Sequence, residues 1–308
     1  MKNRRGRGDT AKRRHGDKTL SRRVPASPRL PVGFVSPPPS FPLVTLLTDF
    51  GNSDYFVGTV KGVILSSNPE VRVVDITHEI PPQDIEAAAF TLLAAYSSFR
   101  QGTIHVAVVD PGVGSSRRAI LIKTRVGYFV GPDNGIFSYV YEREDDLAGT
   151  PEIFQLTNTQ YFRHPVSATF NGRDVFAPVA AALSQGIKPN ELGTKITEMV
   201  RLAPLQPETL RDGRIKGRII HIDRFGNCIT NITPKELTPE MISGGAKVQV
   251  KNRSVSSFRN YFSEATGNRE KVFGVWGSAG FLEIAVSNDS AAKLLKVKRS
   301  DSVIVSSG

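Results

Sequence analysis

The chain has a single cysteine, Cys228, among 308 residues. An intramolecular disulfide is therefore excluded, as is a zinc site made of four thiolates from one chain. No run of 18 apolar residues occurs, which excludes an ordinary membrane-spanning helix. Residues 1–42 lack the apolar core, roughly 7–15 residues long, of a secretory signal. Histidine is scarce and scattered: His15, His78, His105, His164 and His221 show no metal-ligand spacing. Acidic residues are nearly missing from one segment. Residues 1–42 hold 11 Lys and Arg against only Asp9 and Asp17, a net +9, so the overall +11 belongs mostly to that segment. The other 266 residues carry 29 basic and 27 acidic side chains and are near neutral. A nucleic-acid partner for the folded part is not expected, apart from tail contacts with RNA or anionic lipid.

The same 42 residues contain seven of the 20 prolines and no apolar period. Such a segment cannot bury enough surface to offset its ordering entropy, so it is read as a disordered basic tail. Its Arg-rich composition is like a transit peptide, but the prolines oppose an amphipathic helix. The expected location is the cytoplasm, with no membrane association.

At roughly 150 residues per domain the length suggests two domains. LVTLLTDFG reads as a buried strand ending in a Gly turn, and SDYFVGTVKGVILSSNP follows with helical spacing that stops at Asn68-Pro69. VRVVDITHEI is a second buried strand, DIEAAAFTLLAAYSSF a helix with Asp84 near its start, and TIHVAVVD a third strand. AILIKT and GYFVGP read as a hairpin; helices follow through Tyr141 and through FAPVAAALSQG. Alternating strands and helices imply an α/β domain with a central, largely parallel sheet over residues 43–205. Pro204 and Pro207 mark a linker. Beyond Gly213, GRIIHID, CITNIT, AKVQV, KVFGVWG, FLEIAV and DSVIV are short strands, with SAAKLL as the main helical stretch. Residues 213–308 therefore read as a small antiparallel β-barrel domain.

Polar residues collect where apolar strands end: Asp49, Asp75, Asp110, and Asp133 with Asn134. Ligands of open α/β sheets bind outside the carboxyl ends of strands, so these residues point to a shared polar site. Clustered carboxylates suit either a hard metal ion or neutral diols such as ribose hydroxyls. DPGVGSSRR is either a phosphate-cradling loop or a tight hairpin with a basic exit. In TFNGRDVF, Asn171, Arg173 and Asp174 are candidates for ligand contact, with an Arg173–Asp174 ion pair as the structural alternative. In IDRFGNCITNI, Phe225 can stack on a base while Asn227 hydrogen-bonds it, or the segment is a plain turn around Gly226. WGSAGFLEIAV places Ser278 and two glycines before a strand.

Together these segments resemble the S-adenosylmethionine hydroxide adenosyltransferases, adenosine-forming SAM hydrolases related to the SAM-dependent fluorinases and chlorinases. The matching stretches are TDFGNSDYFVGTVKGVI, NPEVRVVDITHEIPPQD, GTIHVAVVDPGVGSSRRAI, YFVGPDNGIFS, TFNGRDVFAPVAA, IDRFGNCITNI and GFLEIAV, collinear over about residues 43–308. The resemblance implies an α/β domain joined to a β-barrel, and trimers whose sites lie between one subunit's N-terminal domain and its neighbour's C-terminal domain. It implies S-adenosylmethionine as substrate, with no cofactor and no metal. Asp49, followed by Phe50, would hold the ribose hydroxyls. Asn134 and the turn carrying Asp223, Phe225 and Asn227 would complete the binding surface. Tyr261 or Phe262 would supply an aromatic, and Ser278, Phe281 and Glu283 would lie near the base.

The implied reaction is in-line attack of water on C5′, giving adenosine and L-methionine. The family's hydrolytic set is Asp, Arg and His. Asp75 matches the aspartate, but Pro82 stands where the arginine belongs and Asn171 where the histidine belongs. Asn171 can hydrogen-bond water without acting as a base, and Arg173 is the candidate replacement cation. The alternatives are an adenosine- or SAM-binding protein with weak catalysis, a metal-dependent hydrolase and a halogenase. A halogenase is disfavoured by the short gap between Arg118 and Tyr128 and by the anionic Asp110, which would repel a halide.

Overall fold

The computed structural model describes residues 41–264 and 271–308. The basic tail, up to residue 40, lies outside the described residues.

The apolar run β1 (Leu43–Thr48) is central because both of its faces are covered: Val44, Leu46 and Leu47 are fully buried. It pairs in parallel with β2 (Arg72–Thr77) and with β3 (Thr103–Val108), and β3 pairs in parallel with β5 (Gly127–Pro132). The expected hairpin sets β4 (Ala119–Lys123) antiparallel to β5. β6 (Glu152–Leu156) and β7 (Gly193–Ile196) then extend the sheet in antiparallel fashion, giving the order β2-β1-β3-β5-β4-β6-β7. The sheet is thus mixed: parallel at the site end, antiparallel at the other.

Two helix layers sandwich it. Helices α1 (Phe56–Ser67) and α4 (Ala177–Ser184) pack with Val44, Leu46 and Val106 on one face. Helices α2 (Ile85–Ala95) and α3 (Ser138–Ala148) pack with Leu47, Ala107 and Phe129 on the other. Asp84 caps α2, its Oδ1 accepting from Ala87 N at 3.0 Å, which satisfies one otherwise free donor. One single-turn helix, α5 (Pro189–Leu192), leads into β7. β2 differs from its expected burial. It is an edge strand with one neighbour, and Val74 is 41% exposed.

His105 on β3 is buried, hydrogen-bonded to Thr45 Oγ1 at 2.8 Å and stacked on Phe129 at 4.9 Å. Burial lowers its pKa from 6.5 to about 4. Between those values the unfolded chain binds a proton that the folded chain does not. Stability is therefore expected to fall as pH drops from about 6.5 to about 4, by up to roughly 3 kcal/mol. Urea midpoints measured across that range check this, and His105→Gln should flatten the slope.

The second sheet contains nine strands among the described residues. These are β8 (Glu208–Thr209), β9 (Ile215–Ile222), β10 (Cys228–Thr230), β11 (Lys247–Val250), β12 (Arg253–Val255), β13 (Phe258–Arg259), β14 (Val272–Trp276), β15 (Leu282–Val286) and β16 (Ser302–Ser306). Their order is β12-β11-β16-β9-β10-β15-β14-β13, with β8 beside β9, and the sheet is barrel-like and nearly closed. Only β13–β14 is parallel. Helices α6 (Pro239–Ser243) and α7 (Ala291–Leu295) are short. Cys228 is fully buried in its core, where burial pushes the thiol up to about 12.

The two sheets lie within one compact unit, Phe41–Gly308. Phe90 of α2 stacks on His221 at 5.0 Å, Glu86 pairs with Arg218 at 2.9 Å, and Asp84 pairs with Arg299. No helix among the described residues is long and apolar enough to cross a membrane.

Candidate active site

β1 ends by delivering Asp49 and Phe50 into a cavity of about 430 Å³. Pro82 and Gln83, the β3 exit through Asp110, Pro111 and Val113, and the Thr169–Gly172 segment form its other walls. Gln83 N donates to Asp49 Oδ2 at 2.8 Å, while Oδ1 receives no donor from any described residue. Phe50, Phe56 and Phe170 pack together, with ring centroids 5.2 to 6.1 Å apart, as an apolar wall. A carboxylate with a free oxygen beside an aromatic wall suits a sugar diol with an attached ring.

Beside Asp49 lies a second carboxylate. Arg117 Nε donates to Asp110 Oδ1 at 2.9 Å, and its Nη2 donates both to Asp110 Oδ2 and to Asn171 Oδ1, the latter at 2.8 Å. The guanidinium lies 5.4 Å from the Phe176 ring centroid, and the Asp110 and Arg117 side chains are 6% and 12% exposed. Asn171 Nδ2 donates to Ser167 O at 3.1 Å, so both ends of that amide are held. The loop carrying Arg117 also abuts the Asn171 segment through Gly114, which has φ +80°; a Cβ there would stand 2.3 Å from Ala168 O. The DPGVGSSRR segment is therefore a turn folded back on its own aspartate.

The other expected residues fall elsewhere. Asp75 does not line the cavity. Lys61 Nζ lies 2.6 Å from its Oδ2, and His78 Nε2 lies 3.1 Å from its Oδ1 without hydrogen-bond alignment. Partial burial pushes the Asp75 carboxyl up, but Lys61 and His78 outweigh it and hold it below the usual range. His78 Nδ1 hydrogen-bonds Thr48 Oγ1 at 2.8 Å, and that oxygen accepts from Phe50 N at 3.2 Å. Asp75 thus reaches the Asp49–Phe50 turn through His78 and Thr48.

Arg173 Nε and Nη2 donate to Asp174 at 2.7 and 2.8 Å, the guanidinium lies 5.1 Å from the Phe170 ring centroid, and Arg173 does not line the cavity. Asp174 is fully buried and also takes Arg163 and Ser167 N. Asn134 closes a turn, donating to Val109 O at 2.8 Å and accepting from Ile136 N at 3.2 Å. Asp133 pairs with Arg118 and accepts from Val200 N at 2.8 Å. Of the four strand-end carboxylates, only Asp49 and Asp110 share the cavity.

A second cavity, of about 1160 Å³, lies on the barrel-like sheet and gathers Asp223, Phe225, Asn227, Ser278 and Glu283 with Trp276 and Phe262. Asp223 builds its turn by accepting from Phe225 N at 2.9 Å, Asn227 N at 2.8 Å and Asn227 Nδ2 at 2.9 Å. Gly226, at φ +86°, completes that turn and leaves the Phe225 ring 79% exposed. Burial, and then the Asp223 charge, raise the pKa of Glu283. Tyr261 is exposed and outside the lining, and Phe281 is buried against Phe90 at 6.0 Å. The two cavities share no lining residue. Among the described residues no three His, Cys, Asp or Glu side chains converge on one point.

Sequence reasoning missed Arg117 as a site residue. Its basic dipeptide was visible, but the turn that returns it to Asp110 and Asn171 was not. Gln83, whose backbone N–H binds Asp49, carried no signal at all, because any residue but proline supplies an N–H there.

A mixed α/β layer joined to a barrel-like sheet, each bearing a polar cavity, defines a two-part small-molecule enzyme fold. Residues 44–193 match the model of the SAM hydroxide adenosyltransferase N-terminal domain and residues 217–304 that of the C-terminal domain; the chain belongs to this family. A protein from Methanocaldococcus jannaschii named (R)-S-adenosyl-L-methionine hydrolase is 39% identical over 275 residues, covering 85% of this chain and 94% of its own. One of the same name from Thermus thermophilus is 38% identical, covering 83% of this chain and 96% of its own. A protein from Actinoplanes named fluorinase is more distant, at 28% identity over 64% of this chain and 73% of its own. The crystal structure of an uncharacterized conserved protein from Thermotoga maritima superposes with a TM-score of 0.77 at 34% identity, covering 85% of this chain and 99% of that one.

Proposed function

We propose that the protein hydrolyses S-adenosyl-L-methionine to adenosine and L-methionine. The observation that carries the reading is the first cavity, where a carboxylate with a free oxygen, Asp49, stands beside the Phe50–Phe56–Phe170 wall and a second, guanidinium-paired carboxylate. Asp49 binds the ribose hydroxyls, and the aromatic wall covers the sugar. Water attacks C5′ from the Asp110–Asn171 side. The sulfonium is already an activated leaving group and departs neutral. The protein therefore needs mainly to align water, carbon and sulfur, and to strip excess solvent from between them. Asp75 steadies the Asp49–Phe50 turn through His78 and Thr48, and Arg173 braces the turn after Asn171 through its ion pair with Asp174.

The second cavity supplies the base-binding half, with Phe225 as a stacking face, Asn227 and Ser278 as polar contacts and Glu283 close by. The family resemblance implies a homotrimer, and on that ground we propose that the complete site joins the Asp49 cavity of one subunit to the Asp223 cavity of the next; two halves that share no lining residue are compatible with this arrangement. We propose a cytoplasmic location, as expected of a protein that acts on SAM. One alternative has an observation in its favour. Pro82 and Asn171 replace the family's arginine and histidine, which suits a protein that binds SAM without turning it over.

Incubation with SAM in chloride buffer, with a chelator and without added metal, followed by chromatography, tests this reading. Equal amounts of adenosine and methionine are expected. SAM retained without product would favour the binding protein, 5′-chloroadenosine would favour a halogenase, and neither product nor binding would overturn the assignment.

A further inference from the structure

We infer that Asp110 holds the attacking water and that Arg117 is the residue positioning Asp110. The inference rests on the hydrolase reading above. Pro82 has neither a side-chain donor nor a backbone N–H, so the cavity wall offers no cation there. Asn171 cannot accept a proton, and both ends of its amide are held, by Arg117 and by Ser167 O. Of the two carboxylates lining the cavity, Asp49 accepts from Gln83 N and is the one the hydrolase reading gives to the ribose, which leaves Asp110.

Asp110 has the geometry for the task. Each of its oxygens takes one bond from Arg117, and an ionised carboxylate has about four acceptor directions, so acceptors remain for a water. The guanidinium fork fixes the plane of the carboxylate, and packing over Phe176 fixes the guanidinium. Its third contact, to Asn171, ties the carboxylate to the opposite wall, and the close approach of Gly114 to Ala168 O holds the two loops at one spacing.

The charge flow of the reaction suits a fixed anion here. Positive charge leaves sulfur and develops on the attacking oxygen, so a carboxylate on the water's side interacts more strongly with the transition state than with the ground state. A lone pair of the water forms the O–C5′ bond. The C5′–S pair departs on sulfur, giving neutral methionine thioether. The surplus proton on the new oxygen passes to Asp110 and then to solvent, restoring the ion pair and releasing adenosine. Arg117, neutralised by Asp110, offers no free cation to a halide.

Steady-state kinetics of Asp110→Asn, Asp110→Glu and Arg117→Lys test this, with adenosine affinity measured alongside. Asp110→Asn should lower kcat by about 100-fold or more, with KM for SAM and adenosine affinity within about threefold. Asp110→Glu keeps the ion pair and therefore the fold, but displaces the carboxylate by one methylene; about a tenfold loss in kcat is expected. Arg117→Lys keeps the charge but loses the fork, with a similar loss confined to kcat. A purely structural role would move thermal stability and KM together with kcat. Folded Asp110→Asn and Asp110→Glu proteins with kcat within about threefold of the parent would overturn the inference while leaving the hydrolase reading intact. A parent protein that forms no adenosine would sink both.

Discussion

Asp49→Asn is expected to abolish measurable adenosine binding while leaving the fold in place. The substitution keeps an acceptor for Gln83 N, so the 81–84 loop stays where it is. What it removes is the charge that receives the ribose hydroxyls. Hydrogen bonds to a charged group contribute about 1.5–3 kcal/mol each, so losing the charge on two of them should weaken binding by roughly 100-fold to 1,000-fold or more. Calorimetry with adenosine checks this, and unchanged thermal unfolding shows that the loss is local. Affinity within a few fold of the parent would remove Asp49 from the ribose.

Mixing two inactive variants is expected to restore activity. Asp49→Ala damages only the first cavity, and Asn227→Ala only the second. If each complete site joins the first cavity of one subunit to the second cavity of its neighbour, co-refolding the two variants in equal amounts leaves about a quarter of the sites with both halves intact. Activity near that fraction of the parental value, from two preparations that are each inactive, would be hard to obtain in any other way. No recovery after verified subunit exchange would place each site within a single chain.

Local patterns carried much of the architecture. LVTLLT is apolar throughout because β1 is covered on both faces, so a central strand ending at Asp49 could be read directly. The strand–helix alternation up to Ala95, the β4–β5 hairpin and the switch to short strands after Gly213 were equally visible, since each depends on the period of apolar residues within one element. EIFQL was harder. It is five residues long and gains its meaning as β6 only from lying between β4 and β7. VRVVD looked like an interior strand, yet β2 lies at the edge; sheet order is a long-range property that one strand's composition does not report.

The site divides along the same line. Residue types at strand ends and turns are local, so Asp49, Asn171 and the Asp223–Asn227 turn stood out in the sequence, as did Pro82 and Asn171 as departures from the family pattern. Partner choice is not local. Asp75 is met by Lys61 of α1, 14 positions earlier in the chain, and by His78 because the chain turns back after that strand. Arg173 turns to its own neighbour, Asp174, because the π-helical turn Gly172–Phe176 puts Asp174 at the buried centre of three donors. Arg117 reaches both Asp110 and Asn171 because two loops meet at Gly114 and Ala168. The chain alone therefore set the elements, the family and the chemical types available at each strand end. Which carboxylates face a cavity and which are consumed in ion pairs depended on distances between segments remote in sequence, and those exist only once the layers have packed.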